Sequence, residues 1–274
     1  MSDFRIGNEN CFNDTLYREP SNSVQHMSDT FSLLPTHVDG LDRVLGGGIP
    51  RGSIVLVAGN PGTMKTSLVF NIMYHNAKRG SRALYVTLEQ TTESLRLAMK
   101  RFGLADFKDH HIYILDIGKL RLELNKKEVT RDWIEILLEM IREAVNINAY
   151  DILAIDSLDA LYSLMGLTNP RRELFHFFSA LRTLGLTTFL ISEIPFGSTK
   201  LTQFGEDFLA DGIVHLKHVE VTDVEMQLRL RCVKMRMVKN QPGYLALNHD
   251  GNGFYVTGAP GKPREGEQRV LLRS

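Results

Sequence analysis

The chain has 274 residues, of which 43% are hydrophobic and 23% are charged, as is typical of a globular protein with a buried core. Its 32 lysines and arginines balance its 32 aspartates and glutamates, so the formal net charge is zero. This balance argues against an electrostatic attraction of the whole chain to nucleic acid, although a local basic stripe stays open. The two cysteines form neither a CxxC pair nor a disulfide framework, which indicates a reducing, cytoplasmic environment.

The sequence carries no sign of a targeting or membrane segment. The N-terminus lacks a basic start followed by an apolar run, and no segment approaches the roughly 20 apolar residues that span a bilayer. We therefore expect no membrane insertion. The closest histidine groupings, His110-His111 and His215 with His218, lack the spacing of metal ligands. They are interpreted as surface or strand residues, with a metal site as the alternative.

Three regions differ in their patterning. Residues 1–32 are polar and without periodicity, which predicts a flexible N-terminal arm. Residues 33–257 carry regular apolar patterns and predict one compact domain. Residues 258–274 are rich in glycine, proline and charge, which predicts a C-terminal tail. Either terminal segment is a candidate contact for a protein partner.

Buried strands alternate with helices in the compact region. In chain order, the predicted elements are strand 53–58, helix 65–78, strand 82–88, helix 92–102, strand 111–115, helix 130–145 with Thr130 as its N-cap, strand 151–155, helix 171–184 and strand 187–191. Such alternation predicts an α/β fold with a mostly parallel twisted sheet and helices on both faces. After Gly212, the consecutive strands 213–218, 226–238 and 244–247 predict an antiparallel extension on one edge of the sheet.

A phosphate-binding loop of the Walker A type is predicted between the first strand and the first helix. Backbone amides of such a loop bind phosphate oxygens, Lys65 adds a positive charge, and the Thr66 hydroxyl ligates Mg²⁺, so ATP and Mg²⁺ are the expected cofactors. Met64 stands where the pattern has glycine, a departure that bears on turnover more than on binding. A glycine-rich turn without a ligand is the alternative. The predicted nucleotide-binding residues are Gly59, Asn60, Pro61, Gly62, Thr63, Met64, Lys65, Thr66 and Ser67.

Two carboxylates at strand ends are candidates for the chemistry around a bound ATP. Asp156 follows a buried strand, where α/β sheets place ligands, and is predicted to hold Mg²⁺ with Thr66; capping of the next helix is the alternative. Glu89 ends the strand after the loop helix and is predicted to be the general base that activates water, with a solvated glutamate as the alternative. Further candidates, for positioning water or sensing the γ-phosphate, are Gln90, Ser192 and Glu193.

These motifs, in this order, resemble the RecA-type ATPases and, within them, the KaiC-like branch. The resemblance covers roughly residues 34–256, most of the chain, and implies a single RecA-like domain with a P-loop. It is specific because it depends on the combination rather than on any one motif. The matching stretches are Asp39-Gly-Leu-Asp42, Gly46-Gly-Gly-Ile-Pro-Arg-Gly52, the phosphate loop, Tyr85-Val-Thr-Leu-Glu-Gln90, Ile155-Asp-Ser, the segment 205–214, Lys234-Met-Arg236 and the segment 248–254.

The resemblance implies properties that the sequence pattern alone does not give. Members form rings, usually hexamers, with ATP at subunit boundaries, so a homo-oligomer is expected. Lys234 and Arg236 match a Lys-x-Arg pair that reaches the γ-phosphate of the neighbouring subunit, which implies a catalytic role in trans; a solvated basic strand is the alternative. Gln90 replaces the second of two glutamates, which leaves Glu89 as the base. Asp207 and Phe208 match a phosphorylated Ser-Thr pair, which favours ATP hydrolysis over autokinase activity.

Three function classes follow from these features. The leading one is Mg²⁺-dependent ATP hydrolysis by a ring, with slow turnover and a role in regulation or signalling. The second is a recombination or repair accessory that binds DNA, for which the segment 196–203 is the candidate loop, although it carries one lysine. The third is a nucleotide sensor that does not hydrolyse ATP, favoured by Met64 and Gln90. Turnover and salt-dependent DNA binding distinguish them.

Overall fold

A nine-stranded sheet organises the residues that the computed structural model of the chain describes, which are 32–105, 111–118, 133–164, 169–251 and 253–258. The described residues all belong to a unit that begins at Ser32. Apart from Ser32 and Gly258, the predicted arm and tail lie outside these residues, as does Thr130. Within the described part, no helix is long and apolar enough to cross a bilayer.

The strands are β1 (Leu33–Leu34), β2 (Ile49–Pro50), β3 (Ile54–Gly59), β4 (Ala83–Thr87), β5 (Ile112–Asp116), β6 (Ile152–Asp156), β7 (Thr187–Glu193), β8 (Gly212–Thr222), β9 (Glu225–Met235), β10 (Leu245–Asp250) and β11 (Gly253–Gly258). The helices are α1 (Leu41–Val44), α2 (Lys65–Ala77), α3 (Thr92–Arg101), α4 (Trp133–Ile147), α5 (Leu158–Leu164), α6 (Pro170–Thr183) and α7 (Glu206–Leu209). β1 and β2 form a separate antiparallel pair.

The strand order of the main sheet is β11-β10-β9-β8-β3-β7-β6-β4-β5. The strands from β8 through β3 to β5 pair in parallel, whereas β9, β10 and β11 continue beyond β8 as an antiparallel extension. The predicted α/β class with a RecA-like sheet and an antiparallel extension is confirmed. Because β3 lies between β7 and β8, the loop that follows it stands near the middle of the sheet.

Apolar residues on both faces of the sheet explain why the parallel strands are continuous apolar runs. Every residue of β3 is buried, and alternate side chains enter two different core clusters. Val55 and Val57 share one cluster with α2 and α3, while Leu56 lies in the other with α4, α5 and α6. A strand covered on both faces has no polar side, so its sequence shows no alternation.

At the C-terminal end of the sheet, three predicted bounds were wrong and one strand was missed. β8 extends to Thr222 rather than to 218, and β10 extends to Asp250 rather than to 247. β9 ends at Met235 rather than at Val238, because the chain turns there and Met237 has a φ of 68°. β11 was not predicted, although it pairs with β10 along six residues from Leu245↔Gly258 to Asp250↔Gly253. Its sequence, GFYVTG, has glycine at both ends and is too short to show a clear period on its own.

Candidate functional site

The predicted phosphate loop connects β3 to the N-terminus of α2. Two of its glycines have a conformational reason: a β-carbon at Gly59 would collide with the carbonyl of Leu216 on β8, and Gly62 has a φ of 80°. The Asn60 amide donates to the Ile194 carbonyl at 2.9 Å, and the Thr63 hydroxyl donates to the Asn60 carbonyl at 2.7 Å. The first bond attaches the loop to the end of β7, and the second closes a turn within the loop. Of the remaining predicted residues, Pro61 is exposed and Ser67 is buried on α2.

Met64 adopts the backbone conformation that glycine would provide. Its φ and ψ are 59° and 25°, in the left-handed region, and it is the N-cap of α2. The residue remains 40% exposed, so its side chain does not fill the loop. A β-carbon in this region costs roughly 1–2 kcal/mol. The departure from the glycine pattern therefore keeps the path of the loop at an energetic cost.

Lys65 points its ammonium into the loop. Its side chain is 6% exposed, and Nζ donates to the carbonyls of Gly59 at 2.9 Å and Asn60 at 3.0 Å. Glu193, the last residue of β7, places Oε1 3.6 Å from the same nitrogen. Burial lowers the pKa of Lys65, and the Glu193 carboxylate opposes that shift. The lysine is thus held by carbonyl dipoles and one carboxylate at the position where the loop curves.

Asp156 and Thr66 meet at the carboxyl end of β6, next to the loop. The Thr66 hydroxyl donates to Asp156 Oδ2 at 2.8 Å, and the buried Tyr85 hydroxyl donates to the same oxygen at 2.6 Å. Burial raises the pKa of Asp156, although both hydroxyl groups and the charge of Lys65 act against that shift. Tyr85 was missed by the sequence analysis; its position inside a wholly buried strand was the available signal, because a buried phenol needs a partner.

Three more carboxylates surround this pair. The Asp159 carboxylate, in the first turn of α5, accepts the backbone N–H of Glu193 at 2.6 Å. Desolvation and the neighbouring acidic groups raise the pKa of Glu89, and desolvation raises that of Asp159. Among the described residues, Lys65 is the only cation within ion-pair distance of any of these four carboxylates. The site is therefore rich in negative charge. Asp159 was missed because a helix-start aspartate is usually interpreted as a cap.

The oxygen atoms at this point fit a hard divalent cation. Mg²⁺ is usually bound by one or two protein ligands together with waters and substrate phosphates. Thr66 and Asp156 provide such a pair, and the raised pKa of Asp156 shows a buried carboxylate that a cation would neutralise. In the described part of the chain, no three His, Cys, Asp or Glu side chains converge on one point, so a cage made of protein alone is not available.

Lys234 and Arg236 lie near the amino ends of the parallel strands, at the opposite end from the loop. We call this side of the sheet the amino edge and the side that carries the loop the carboxyl edge. Lys234 pairs with Ile213 at the start of β8, and its Nζ donates to the Asp207 carbonyl at 2.7 Å. Arg236 bonds Asp211 at 3.0 Å. The same carboxylate accepts the backbone N–H of Ile54, the first residue of β3. The loop leaves the other end of β3, roughly 17 Å away at the usual rise per residue. These two cations are therefore not part of their own chain's loop site.

The Asp211 carboxylate is the shared partner of two arginines, Arg182 and Arg236. It accepts Arg182 of α6 at 2.7 Å, and the three donors lower its pKa in spite of its burial. Arg182 and Asp211 were not among the predicted site residues. They are separated from each other by 29 positions in sequence, so only the fold brings them together.

Two other predicted features are less defined. The segment 196–203, the candidate DNA loop, is exposed at Phe196 and carries Lys200. His215 is buried and its ring contacts the Tyr244 hydroxyl at 3.0 Å, whereas His218 stands an odd number of residues away and faces the other side of the strand. His110 lies outside the described residues. His215 and His218 thus do not form a site together.

Comparison with known proteins places this geometry in a family context. The family model described as "ATPase: KaiC" matches residues 34–260. A UPF0273 protein of Saccharolobus solfataricus is 30% identical over 221 residues, covering 75% of this chain and 77% of that protein. The circadian clock protein KaiC3 of Synechocystis is 26% identical over 225 residues; the match covers 80% of this chain but 44% of the relative's length.

The fold comparison agrees with the sequence comparisons. The crystal structure of a KaiC-like protein from Pyrococcus horikoshii superimposes with a TM-score of 0.72 at 26% identity. The match covers 83% of this chain and 99% of that one. The likeness therefore extends over nearly the whole of a protein that consists of a single unit of this size.

Proposed function

The chain belongs to the KaiC family of ATPases, and from this premise we propose that it binds ATP with Mg²⁺ at loop 59–66 and hydrolyses it. We further propose that it acts as one subunit of a ring, usually a hexamer in proteins that it resembles. The observation that carries the proposal is the hydrogen bond of 2.8 Å between Thr66 and Asp156, next to the buried ammonium of Lys65. These three groups are the minimum that a nucleotide with a divalent cation requires.

The loop residues bind and orient the phosphates in this proposal. The amides of α2's first turn and the loop point at phosphate oxygens, and Lys65 exchanges its carbonyl partners for the β- and γ-phosphates. Mg²⁺, when bound at Thr66 and Asp156, supplies charge neutralisation for the phosphates and for the carboxylates around them. Tyr85 keeps one oxygen of Asp156 in place through its hydroxyl.

Glu89 is the proposed general base. It follows β4, beside the β6 end that carries Asp156, and its pKa is raised by desolvation and by the carboxylates of Asp156, Glu193 and Asp159. A base whose pKa is closer to the working pH accepts a proton from water more effectively. Because Gln90 cannot take that role, we propose slow turnover, suited to regulation or signalling rather than to fast energy conversion.

Lys234 and Arg236 are the proposed trans-acting cations. They lie far from their own loop, so they reach a γ-phosphate only if the amino edge of one subunit faces the carboxyl edge of another. In such a ring, each cation pair would stabilise charge that develops in the neighbour's site. Autokinase activity is not proposed, since the stretch at Asp207 and Phe208 offers no hydroxyl.

One experiment tests binding, assembly and hydrolysis on the same sample. Native mass measurement with and without ATP and Mg²⁺, followed by phosphate release, is expected to show larger assemblies with nucleotide and slow release that EDTA abolishes. Lys65→Ala is expected to weaken ATP binding at least tenfold, since it removes a charge-assisted contact; Lys78→Ala, on the exposed end of the same helix, is the matched control.

The outcomes separate the candidate functions. Unchanged ATP affinity in Lys65→Ala would overturn the nucleotide site. ATP binding without phosphate release in any assembly would favour a sensor. A monomer under all conditions would exclude a trans role for Lys234 and Arg236.

A further inference from the structure

The antiparallel extension has one apolar face and one basic face. Leu216, Leu228 and Leu230 point into the core on one side of β8 and β9. Alternate residues occupy the other side in two cross-strand pairs, His215↔Arg231 and Lys217↔Arg229. We call the group formed by His215, Lys217, Arg229, Arg231 and Tyr244 the basic sheet patch.

Like charges stand directly opposite each other in this patch. Lys217 and Arg229 are register partners on neighbouring strands, an arrangement that destabilises an antiparallel pair. Within the described residues, neither of them nor Arg231 forms an ion pair with a carboxylate. A solvated protein surface usually mixes the two signs of charge, whereas these three cations form no ion pair with a carboxylate of the described residues.

Tyr244 holds two of the cations without neutralising them. Lys217 Nζ lies 4.1 Å and the Arg231 guanidinium carbon 4.8 Å from the centre of its ring. A cation–π contact orients a cation but leaves its full charge available, unlike a carboxylate. The hydroxyl of Tyr244 contacts His215 Nδ1 at 3.0 Å. Burial and the charges of Arg231 and Lys217 lower the pKa of His215 to about 4, so its ring is neutral at pH 7.

Two donors of the patch have a defined orientation. Arg229 Nε donates to the Gln227 side chain at 2.9 Å, which directs the rest of its guanidinium away from that residue. Arg231 Nε is buried and has no hydrogen-bond partner. A buried donor without a partner is uncommon, and an anion on this face would supply acceptor atoms to the guanidinium groups.

The patch is small and bounded. The next cross-strand pair toward the hairpin tip is Val219↔Gln227, which carries no charge. On the other side of β9, the register partner of Arg229 is Ala246 of β10. The cations therefore cover about 7 Å along the strands and two strands across. This area suits two or three phosphoryl groups rather than a long polymer.

The patch is distinct from the loop site. α2 and the loop turn toward the sheet face that carries Leu216, while the patch is on the other face. Because His215 on β8 pairs with Ala58 on the neighbouring strand β3, the separation of the patch from the loop depends on the sheet face and not on distance along the sheet.

From these observations we propose that the basic sheet patch binds a short oligophosphate, such as a pyrophosphate or triphosphate group, separately from loop 59–66. The chemistry that recognises it is a fork of two guanidinium groups and one ammonium, arranged by Tyr244 and Gln227. Arginine matches phosphate oxygens with paired donors, and lysine adds a point charge. The proposal does not depend on ATP hydrolysis.

The test is a calorimetric titration of the full chain with inorganic tripolyphosphate. Arg229→Gln/Arg231→Gln removes two charges and is expected to lose one binding site per chain, or to weaken it at least tenfold. The matched control is Lys100→Gln/Arg101→Gln, which removes two exposed charges at the end of α3. If loop 59–66 also binds tripolyphosphate, the double variant should show one binding site where the wild type shows two. If the loop does not bind it, the double variant should show none where the wild type shows one. The titration therefore distinguishes a failure of the proposed loop site from a failure of the proposed patch site.

Four further measurements complete the design. Far-ultraviolet circular dichroism verifies folding, and Lys217→Gln is a milder second variant that is expected to weaken the same site. Added salt is expected to weaken tripolyphosphate binding by screening, and to weaken it less steeply in the variants, which have fewer charges. Equal stoichiometry and affinity in wild type and both patch variants would overturn the proposal. So would tighter binding of a 12-nucleotide oligothymidylate that the same variants abolish, because that result would assign the patch to nucleic acid.

Discussion

The two ends of the parallel strands carry opposite charge. At the carboxyl ends, the carboxylates of Glu193, Asp156 and Asp159 act on Lys65, and burial raises the pKa of Asp156. At the amino ends, Arg182 and Arg236 share the Asp211 carboxylate, and the pKa of Asp211 is lowered. Carboxylates outnumber cations around the loop, whereas cations outnumber carboxylates around Asp211. Subunits that pack head to tail would bring the two edges together, which supports the proposed ring.

The difference between the edges teaches which groups are structural. Asp211 is already satisfied by two guanidinium groups and the Ile54 amide, so it belongs to the folded chain itself. The carboxylates around Asp156 are not satisfied within the described residues to the same degree. They gain most from a divalent cation and from a neighbour's positive charge.

Removing a proposed trans-acting cation is expected to have the largest effect. Arg236→Ala should lower ATP turnover by roughly 10³-fold or more, because an arginine that stabilises transition-state charge contributes on that scale. ATP binding by the isolated subunit should change little, since Arg236 is far from its own loop. Phosphate release and a nucleotide-binding titration measure the two quantities.

Mixing two inactive variants makes this prediction decisive. Arg236→Ala chains keep an intact loop, and Lys65→Ala chains keep an intact Arg236. Random mixing in a ring should restore about one quarter of the boundaries, and hence part of the turnover. Mixtures that remain as inactive as either variant would contradict action in trans.

Removing the proposed general base, Glu89, is expected to have the second-largest effect. Glu89→Gln should lower turnover by about 10²-fold, at the lower end of general-base effects, with ATP affinity unchanged. Wild-type turnover should also fall with acid pH as Glu89 is protonated, beginning at a higher pH than for an ordinary glutamate because its pKa is raised. Glu93→Gln, an exposed glutamate of α3, is the control. Equal turnover in both variants would exclude Glu89 as the base.

Replacing a carboxylate should change the free energy of unfolding in opposite directions at the two ends of the strands. Asp211→Asn is expected to cost about 2 kcal/mol at pH 7, less than the loss of a fully buried pair because both guanidinium groups are half-exposed. The folded pKa of Asp211 is lowered, so its contribution is present above the unfolded pKa near 4 and disappears as the pH falls through the folded value.

Asp159→Asn should behave in the opposite way. The folded pKa of Asp159 is raised, so its ionised form destabilises the fold at neutral pH, and the variant should be more stable by about 0.5 kcal/mol. That gain should vanish at low pH, where the wild-type carboxyl is protonated. Urea denaturation of both variants across pH 3–8, without Mg²⁺, measures the difference. A loss of stability in Asp159→Asn would contradict the comparison.

The smallest effect is expected at the loop backbone. Met64→Gly should stabilise the chain by about 0.5 kcal/mol, because the relief of a left-handed conformation exceeds the extra chain entropy of glycine only slightly. Gly62→Ala, with a φ of 80°, should destabilise it by about 1 kcal/mol. Urea denaturation measures both. A destabilised Met64→Gly chain would show that the methionine side chain makes contacts that outweigh the strain.

The sequence predicted the parallel part of the sheet and the loop because both depend on neighbours in the chain. Buried strands appear as apolar runs, and the loop motif lies within eight consecutive residues from Gly59 to Thr66. The hydrogen bonds that define the rest of the site connect distant positions. Tyr85 and Asp156 are separated by 71 residues, and Ile54 and Asp211 by 157, so no local pattern identifies them.

The antiparallel extension was predicted less well for a related reason. β11 is recognisable only through its pairing with β10, and the end of β9 depends on the turn at Met237. The basic sheet patch was also missed, although β9 shows the alternation Leu-Arg-Leu-Arg from Leu228 to Arg231. Alternation predicts a strand with one polar face. Only the pairing with neighbouring strands shows which charged residues lie beside that face.

The strand β8 pairs both with the end of β3 that carries the loop and with the part of β9 that carries Lys234. Leu216 lies against Gly59, where the loop leaves the sheet, and Gly212 pairs with Met235, between the proposed trans-acting cations Lys234 and Arg236. β8 and β9 pair from Gly212↔Met235 to Thr222↔Glu225, so we expect a displacement at one end of β8 to move the other. In a closed ring, this pair of strands would be a mechanical linkage: a shift at one subunit's phosphate loop would move the cations that it presents to the next.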